Sequence, residues 1–449
     1  MAEPIISVSG LRGIVGETLT PEVVVRYTAA FAALAPSGTI LVSRDGRAGG
    51  DMIRSLVIGS LQAAGRRVVD VGIAATPTVG VLVRECEAAG AVQITASHNP
   101  PEYNGLKLFS PEGRVIPKGP GASVLKWYRE RKPVWCGHSE LGQASRLTDN
   151  ISAHLESVLA TVDVERIRQR HFHVVLDSNH GAGSILGVAL LEELGCHVVP
   201  IGDIPDGAFE HPPEPIAQNL VSVTSIVREV GADIGFCQDP DADRLAVIDA
   251  EGNYLGEEYT LAICVDHVLK RRKGPVVANC ATSRMSADIA AKYGVPFYRS
   301  AVGEANVVDT MLANDAVFGG EGNGGPIDPQ VGLVRDSFVG MAQILDAMAA
   351  EDATVAALAA RLPKYAIVKE KYPLKGAKLE AVFAALRAKF PDAQCDDQDG
   401  LRLDWADRWL LVRPSNTEPI VRAIAEANTT AQAETLCKAA ADAIQQSVA

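Results

Sequence analysis

The sequence lacks the features that mark several broad classes of protein. Its 449 residues carry 42 Lys and Arg against 55 Asp and Glu, a formal net charge of −13, and so lack the positive excess with which proteins neutralise nucleic-acid phosphates. No apolar run reaches the ~18 residues of a membrane-spanning helix. The segment M-A-E-P-I-I-S-V-S-G shows no basic stretch followed by an apolar one. We therefore expect a soluble, cytoplasmic protein with neither nucleic acid nor membrane as a partner.

Cysteine is also sparse. The eight cysteines include no Cys-x-x-Cys pair, and two of them, Cys237 and Cys264, lie within apolar runs. This distribution is typical of buried, reduced thiols and not of a disulfide framework or a zinc site. Hydrophobic residues, by contrast, make up 47% of the chain and charged residues 22%, which is enough to build folded domains. At ~150 residues per domain, the length indicates about three domains.

Short apolar segments alternate with amphipathic helical segments along most of the chain, a pattern that predicts parallel sheets covered by helices. The alternation restarts near residue 150 and near residue 254, and residues 132–147, which show no clear period, are expected to link two units. After Pro363 strands and helices are mixed. We predict an α/β protein of three similar mixed α/β domains plus a smaller C-terminal α+β domain, at residues 1–150, 151–253, 254–363 and 364–449.

Two polar motifs directly follow segments that are predicted to be strands. T-A-S-H-N-P at 95–100 places Ser97 at the carboxyl end of a strand, where parallel sheets carry reactive groups; a simple Ser-His-Asn-Pro turn is the alternative. D-P-D-A-D-R at 239–244 alternates three aspartates, so that in extended backbone their side chains point to one side. Converging carboxylates repel one another unless a cation such as Mg²⁺ lies among them. An acidic surface loop is the alternative.

Two further motifs suit phosphate and sugar groups. R-P-S-N-T-E-P at 413–419 combines a guanidinium, hydroxyls and free backbone N–H groups, which together bind phosphate without a metal, although S-N-T could equally cap a helix. G-G-E-G-N-G-G at 319–325 allows close backbone approach. Its Glu321 and Asn323 can exchange hydrogen bonds with sugar hydroxyls, and a flexible turn is the alternative. The four motifs fall one in each predicted unit.

In this order and spacing, and together with S-G-L-R-G at 9–13, the motifs resemble those of the α-D-phosphohexomutases, a family of phosphoglucomutases, phosphomannomutases and phosphoglucosamine mutases. The resemblance covers essentially the whole chain. It implies four domains around a central cleft and an isomerase of carbohydrate metabolism, an intramolecular phosphotransferase. Such an enzyme interconverts hexose 6-phosphate and hexose 1-phosphate through a phosphoserine and a hexose 1,6-bisphosphate, which also acts as primer.

The same resemblance implies a set of site residues. The catalytic residues are Ser97, His98, Lys107, Arg12 and Arg244. The ligands of one Mg²⁺ per chain are an oxygen of phosphorylated Ser97 together with Asp239, Asp241 and Asp243. The substrate-binding residues are Gly303, Glu304, Glu321, Asn323, Arg413, Ser415, Asn416, Thr417 and Arg422. Arg12 and Arg244 neighbour the phosphoserine, and Lys107 and His98 are both candidates for proton transfer.

The sugar loop departs from the family's common bacterial form, G-E-x-S-G-H. Here Asn323 stands in place of the Ser and Gly325 in place of the His. The variant resembles a subgroup that contains both phosphoglucosamine mutases and phosphomannomutase/phosphoglucomutase enzymes. We expect glucosamine phosphate as the substrate, with mannose or glucose phosphate as the alternative, in a monomer or a homodimer. The first domain also reads S-R-D-G-R at 43–47 in place of the commoner R-D-T-R, a difference that we expect to matter little.

Two other functions remain open at this point. Asp239 and Asp241 could be the nucleophile and the acid of a haloacid-dehalogenase-type phosphatase, although that motif normally opens its domain and T-A-S-H-N-P would then have no role. The chain could also be a non-catalytic regulator that binds sugar phosphates. All the reactive side chains are present, which favours the enzyme.

Overall fold

The fold is described from a computed structural model of the chain, which describes residues 3–7, 10–374, 376, 378–415 and 420–447. Within these residues the strands form four sheets, each built from its own stretch of the chain. The predicted α/β class, with three similar units and a smaller α+β unit at the C-terminal end, is confirmed. None of the helices in the described part of the chain combines the length and the apolar character that crossing a bilayer requires.

The first unit is built on a mixed sheet. Its elements are β1 (Ile5–Ser7), β2 (Gly10–Ile14), α1 (Pro21–Leu34), β3 (Ile40–Arg44), α2 (Gly50–Ala63), β4 (Val68–Ile73), α3 (Thr76–Glu85), β5 (Gly90–Ile94), β6 (Tyr103–Phe109), α4 (Lys118–Glu130) and β7 (Ala144–Arg146). The strand order is β1-β2-β6-β5-β3-β4-β7. Strand β7 lies in the segment that we expected to be a linker, where it pairs with β4. Its three exposed residues leave no hydrophobic alternation to reveal it.

The second and third units share one plan, in which parallel strands end in an antiparallel strand at one edge. The second comprises α5 (Ser152–Leu159), α6 (Val164–Arg168), β8 (His173–Asp177), α7 (Gly183–Glu193), β9 (His197–Ile201), α8 (Val221–Glu229), β10 (Ile234–Gln238) and β11 (Leu245–Asp249). The third comprises α9 (Glu257–Arg271), β12 (Val276–Asn279), α10 (Met285–Tyr293), β13 (Phe297–Ser300), α11 (Glu304–Ala313), β14 (Phe318–Glu321), β15 (Gly325–Ile327), α12 (Ser337–Glu351) and α13 (Val355–Ala360). The orders are β11-β10-β8-β9 and β13-β12-β14-β15.

The fourth unit is an antiparallel sheet with helices against it. Its elements are β16 (Ala366–Pro373), α14 (Leu379–Lys389), β17 (Gln394–Asp396), β18 (Leu401–Asp404), β19 (Trp409–Pro414), β20 (Ile420–Ala427) and α15 (Thr430–Gln446). The strand order is β16-β20-β19-β18-β17. The inward faces of the sheet and of α14 and α15 form a hydrophobic cluster of their own, which includes Val382, Leu403 and Leu436.

One hydrophobic cluster runs through the second and third units. Phe236 of β10, Val268 of α9 and Ile344 of α12 all belong to it, and it extends to Val81 of α3 in the first unit. Removal of this apolar surface from water holds the units together. In the first three sheets the polar motifs lie at the ends of buried strands: two of them follow β5 and β10, and G-G-E-G-N-G-G begins within β14 and continues beyond it. The shared packing thereby fixes where these loops meet.

Candidate active site

The serine loop begins where β5 ends and turns sharply at Ser97. Ser97 has a φ of 50°, in the left-handed region that residues with a side chain rarely occupy. Its N–H donates to Oγ1 of Thr95 at 2.9 Å, and this bond holds the turn. The hydroxyl of Ser97 points at the second unit, where it donates to Oδ2 of Asp239 at 2.8 Å. Nδ1 of His98 lies 3.3 Å from Oγ of Ser97.

The three aspartates after β10 converge, but not through the extended backbone that their alternation suggested. The chain turns instead: Ala242 has a φ of 55° and donates its N–H to the carbonyl of Asp239 at 2.8 Å. Oδ1 of Asp239 accepts the N–H groups of Asp243 and Arg244, each at 3.1 Å. One oxygen from each of Asp239, Asp241 and Asp243 lies within 4.8 Å of the others. A tight turn therefore collects the carboxylates.

The carboxylate cluster fits a hard divalent cation. Asp239, Asp241 and Asp243 are each 0% exposed. Among the described residues, Oδ1 of Asp241 and Oδ1 of Asp243 have no hydrogen-bond partner. A buried anionic oxygen without a partner is costly, and a cation that prefers oxygen ligands removes that cost. The donor set therefore suits Mg²⁺.

Basic and hydroxyl groups from the first unit border the cluster. Nζ of Lys107 donates to Oδ2 of Asp241 at 2.9 Å and to Oδ2 of Asp243 at 3.0 Å. Oγ1 of Thr76, at the start of α3, donates to Oδ2 of Asp241 at 2.6 Å. Thr76 was not among the expected site residues, because a threonine at a helix start has many ordinary roles.

The pKa values of the groups in and around the cluster are shifted in different directions. Burial, together with the charges of Asp241 and Asp243, raises the pKa of Asp239 well above its ordinary value. Burial disfavours the charged form of Lys107, but the two carboxylates that it contacts outweigh burial and raise its pKa. Burial and the nearby arginines Arg244 and Arg12 lower the pKa of His98 well below its ordinary value. The ammonium of Lys107 is thus held protonated and the imidazole of His98 neutral.

Arg335 links the loop of the three aspartates to the G-E-G-N-G-G loop, and it was not among the expected site residues. Its Nη2 donates to Oδ2 of Asp243 at 2.6 Å and its Nη1 to Oε2 of Glu321 at 2.8 Å. Its backbone N–H donates to Oε1 of Glu304 at 2.8 Å. The residue precedes Asp336, whose side chain caps α12. This helix cap is the one feature of the sequence that could have pointed to Arg335, but an arginine before a helix cap belongs to no known motif.

The expected sugar-binding residues lie together. Oε1 of Glu321 accepts the side-chain amide of Asn279 at 2.7 Å and the N–H of Gly303 at 3.1 Å. Nδ2 of Asn323 lies 3.5 Å from Oε2 of Glu321. A Cβ added at Gly325 would lie 2.5 Å from Cδ of Arg335. The Arg335 side chain therefore fills the space beside the position where the common sugar loop carries a histidine.

The remaining expected catalytic residues, Arg12 and Arg244, lie at the rim of the serine loop. Nη1 of Arg12 donates to Oδ1 of Asn99 at 3.0 Å. Nη1 of Arg244 lies 3.6 Å from Oε1 of Glu214, and Nε2 of His98 lies 4.0 Å from the same oxygen. Glu214 was also missed, since it comes from the irregular segment between β9 and α8.

The expected phosphate-binding residues of the fourth unit are described in part. Arg413 of β19 pairs in register with Arg422 of β20, and the N–H of Ser415 donates to the carbonyl of Ile420 at 2.9 Å. Oδ2 of Asp399 accepts Nε of Arg413 and the N–H of Val302, each at 2.9 Å. Asp399 thus connects Arg413 to the loop that carries Gly303 and Glu304. The other two expected residues, Asn416 and Thr417, lie outside the described residues.

The expectation that S-R-D-G-R matters little stays a prediction for activity, but the structure leaves no room for a side chain at Gly46. A Cβ added at Gly46 would lie 2.4 Å from the carbonyl oxygen of His180 and 2.8 Å from the carbonyl carbon of Pro205. The backbone of the second unit therefore approaches too closely for any side chain at this position, including the threonine of the commoner R-D-T-R form.

Models of the four domains of one family match the chain in order. They are described as phosphoglucomutase/phosphomannomutase alpha/beta/alpha domains I, II and III, at residues 5–131, 152–252 and 256–365, and its C-terminal domain, at residues 364–443.

Curated relatives and solved structures match over nearly the full chain. A phosphoglucomutase/phosphomannomutase of Thermococcus kodakarensis is 38% identical over 429 residues, 94% of each chain. A probable phosphoglucosamine mutase of Thermococcus gammatolerans is 33% identical over 448 residues, 98% of each chain. The crystal structure of a phosphoglucomutase/phosphomannomutase family protein from Burkholderia thailandensis superposes with a TM-score of 0.85 at 26% identity, covering 99% of this chain and 97% of that one.

Proposed function

We propose, on the premise that this chain belongs to the phosphoglucomutase/phosphomannomutase family and is a hexose-phosphate mutase, that Ser97 carries the phosphoryl group that it transfers. One observation supports this most strongly. The buried hydroxyl of Ser97 is hydrogen-bonded at 2.8 Å to Asp239, one of three carboxylates that converge on a cation-sized site. The same placement and the four-domain match favour the mutase over the phosphatase and the non-catalytic regulator.

In the proposed reaction, the bond between Oγ of Ser97 and phosphorus breaks while a sugar hydroxyl forms a new bond to phosphorus and loses its proton. The resulting 1,6-bisphosphate reverses its orientation in the cleft and transfers its other phosphate to Oγ of Ser97. Such transfer depends mainly on positioning and on stabilisation of charge. Mg²⁺, when held by Asp239, Asp241 and Asp243, supplies part of that stabilisation.

The contacts of the two proton-transfer candidates support different roles. The ammonium of Lys107 donates to two carboxylates, which raise its pKa, so it is placed to donate hydrogen bonds and to keep its proton. The neutral imidazole of His98 lies 3.3 Å from Oγ of Ser97, so it can accept the proton that the sugar hydroxyl loses. The guanidinium groups of Arg12 and Arg244 border the loop, where they can stabilise phosphate charge.

We assign binding of the substrate's non-reacting phosphate to Arg413, Ser415, Asn416, Thr417 and Arg422. We assign binding of the sugar ring to Gly303, Glu304, Glu321 and Asn323. Asp399 supports these assignments, because it ties Arg413 to the loop of Gly303. One end of the substrate would then contact the fourth unit while the other end meets Ser97. A hexose 1,6-bisphosphate primer, a cytoplasmic location and a monomer or homodimer stay predictions.

We assign glucosamine phosphate as the substrate, because the G-E-G-N-G-G loop resembles that of a subgroup that includes phosphoglucosamine mutases and because several relatives are named probable phosphoglucosamine mutases. Phosphomannomutase/phosphoglucomutase activity is the second candidate, supported by the 38% identical relative of that name. The test is kcat/KM for glucosamine, mannose, glucose and N-acetylglucosamine phosphates. A ten-fold preference corresponds to about 1.4 kcal/mol of differential transition-state binding. A preference for glucosamine phosphate supports the assignment, and a preference for another sugar overturns it.

A further inference from the structure

We propose that Arg47 is a positioning residue of the mutase, which holds the serine loop in its reactive shape without touching the substrate. The proposal rests on the assignment of Ser97 as the phosphorylated residue. Arg47 follows β3 in the S-R-D-G-R segment, and it is 2% exposed, so its charge is compensated entirely by the protein groups around it.

Four backbone carbonyl groups face the guanidinium of Arg47, three from the serine loop and one from the first residue of β6. Its Nη2 donates to the carbonyls of Ser97 and Asn99. Its Nη1 donates to the carbonyls of Pro100, at 2.7 Å, and Tyr103, at 3.1 Å. A single planar group with several N–H donors in a fixed arrangement thus sets the path of the whole loop.

The contact matters because the backbone at Ser97 is strained. A φ of 50° is unfavourable for serine, and such a conformation persists only where the surroundings enforce it. Arg47 binds the carbonyl of Ser97 itself, and therefore directly constrains the peptide group that follows the strained residue. Loss of the guanidinium would leave buried carbonyls unpaired and would let the loop relax, which moves Oγ away from Asp239.

Asp45 supplies a second connection between the S-R-D-G-R segment and Ser97. Its Oδ1 accepts the N–H of Arg47 at 3.0 Å, and its Oδ2 accepts the hydroxyl of Thr95 at 2.6 Å. Because the Thr95 proton points to the carboxylate, the lone pairs of Thr95 Oγ1 are free to accept the N–H of Ser97 at 2.9 Å. Arg47 and Asp45 therefore fix the two sides of the Ser97 turn.

The second unit covers this arrangement. The ring of Phe209 lies 5.0 Å from the guanidinium carbon of Arg47, within the range of a cation–π contact. A Cβ added at Gly207 would lie 2.6 Å from the carbonyl oxygen of Gly46 and 2.8 Å from Cα of Arg47. The unit that carries the three aspartates thus packs directly on the residue that shapes the serine loop.

The test compares Arg47→Lys with Arg54→Lys. Arg54 lies in the same unit and pairs with Asp70, away from the serine loop. Each purified variant is loaded with phosphate on Ser97, verified by peptide mass spectrometry, and mixed with hexose monophosphate in a single turnover. We expect Arg47→Lys to lower both kcat and the single-turnover transfer rate at least ~10-fold with KM within ~3-fold, and Arg54→Lys to leave all three within ~2-fold.

A purely structural role would lower the folded fraction without changing the transfer rate per phosphorylated chain. A wild-type transfer rate in folded Arg47→Lys overturns the proposal. If Arg47→Lys does not fold, Phe209→Leu keeps the guanidinium but removes its ring contact; a slower transfer at unchanged KM supports the proposal, and an unchanged transfer rate overturns it. If the wild-type protein carries no transferable phosphate on Ser97, the proposed function fails, and this inference fails with it.

Discussion

The two regions proposed to hold the two ends of the substrate are built differently. Around Ser97, hydrogen bonds between charged or polar side chains link three units, as in the contacts of Ser97 with Asp239 and of Arg335 with Asp243. The phosphate-binding region, which comprises Arg413, Ser415 and Arg422, belongs to the fourth unit, and that unit has its own core. It meets the third unit through the small cluster of Cys280, Trp409, Leu411 and Ile424 and through polar contacts such as that of Asp399 with Val302.

We expect this difference to separate substitutions that affect the chemical step from substitutions that affect substrate binding. The reacting region is preorganised by packing that the second and third units share, so changes there should act on the transition state and lower kcat. The phosphate-binding region is proposed to contact a phosphate that does not react, so changes there should act mainly on KM. The expected effects below test this division.

The largest effect is expected for Ser97→Ala. Without Oγ no phosphoserine forms, and kcat/KM should fall at least ~10⁴-fold in a coupled mutase assay. The matched control is Ser123→Ala, which removes an exposed hydroxyl of α4 and should leave activity within ~2-fold. Near-normal turnover of the Ser97 variant would show that the reacting region lies elsewhere.

A somewhat smaller loss is expected for Asp241→Asn. The change removes one carboxylate from the cation site, so the affinity for Mg²⁺, measured by titration calorimetry, and kcat should each fall at least ~100-fold. Treatment of the wild-type protein with a chelator should abolish activity, and added Mg²⁺ should restore it. Asp51→Asn, at an exposed carboxylate of α2, is the control. Wild-type Mg²⁺ affinity in Asp241→Asn would contradict the site.

Arg413→Ala tests the other region. Loss of a charge-assisted hydrogen bond costs ~1.5–3 kcal/mol, so kcat/KM should fall roughly 10- to 150-fold, mainly through KM. The phosphate on Ser97, measured by mass spectrometry, should stay at the wild-type level. Arg387→Ala changes an exposed arginine of the same unit and should have little effect. A fall confined to kcat would break the division between the two regions.

The smallest effect concerns Glu258, at the start of α9. Burial raises its pKa to about 8, although Lys369 and the N–H of Ser283 oppose the shift. The pKa of Glu258 is higher in the folded chain than in the unfolded chain. Its contribution to the free energy of unfolding is therefore fully present below the unfolded pKa, near 4.5, and is lost as the pH rises through about 8.

Urea unfolding at about pH 6 and about pH 9 should therefore show a loss of stability for the wild type that is smaller in Glu258→Gln. Because Glu426 of the fourth unit also raises the pKa of Glu258, the loss should loosen the contact between the third and fourth units. Equal pH dependence in the two proteins would contradict the shift.

Much of the fold could be predicted from the sequence, because long amphipathic helices and buried strands carry a clear period. The alternation was expected to restart near residues 150 and 254, and helices α5 and α9 begin at Ser152 and Glu257. Strand β7 could not be predicted, since it has three exposed residues and depends on pairing with β4.

The expected residues of the site came from motifs, whereas the missed ones contact partners that are distant in the sequence. Arg335 lies 92 positions from Asp243, which it contacts, and Arg47 lies 50 positions from Ser97. Such partners become visible only when packing brings the loops together. The aspartates show a different error: their convergence was expected, but a turn at Ala242 and not extended backbone produces it.

The most direct test of the account follows the phosphate on Ser97. The phosphorylated protein is mixed with one equivalent of hexose monophosphate, quenched at intervals and mapped by peptide mass spectrometry. We predict that the phosphate resides on Ser97, leaves it at least as fast as the enzyme turns over, and reappears in a hexose bisphosphate. Phosphate on Asp239, or conversion of substrate without transfer of the original Ser97 phosphate to the hexose, would contradict this prediction.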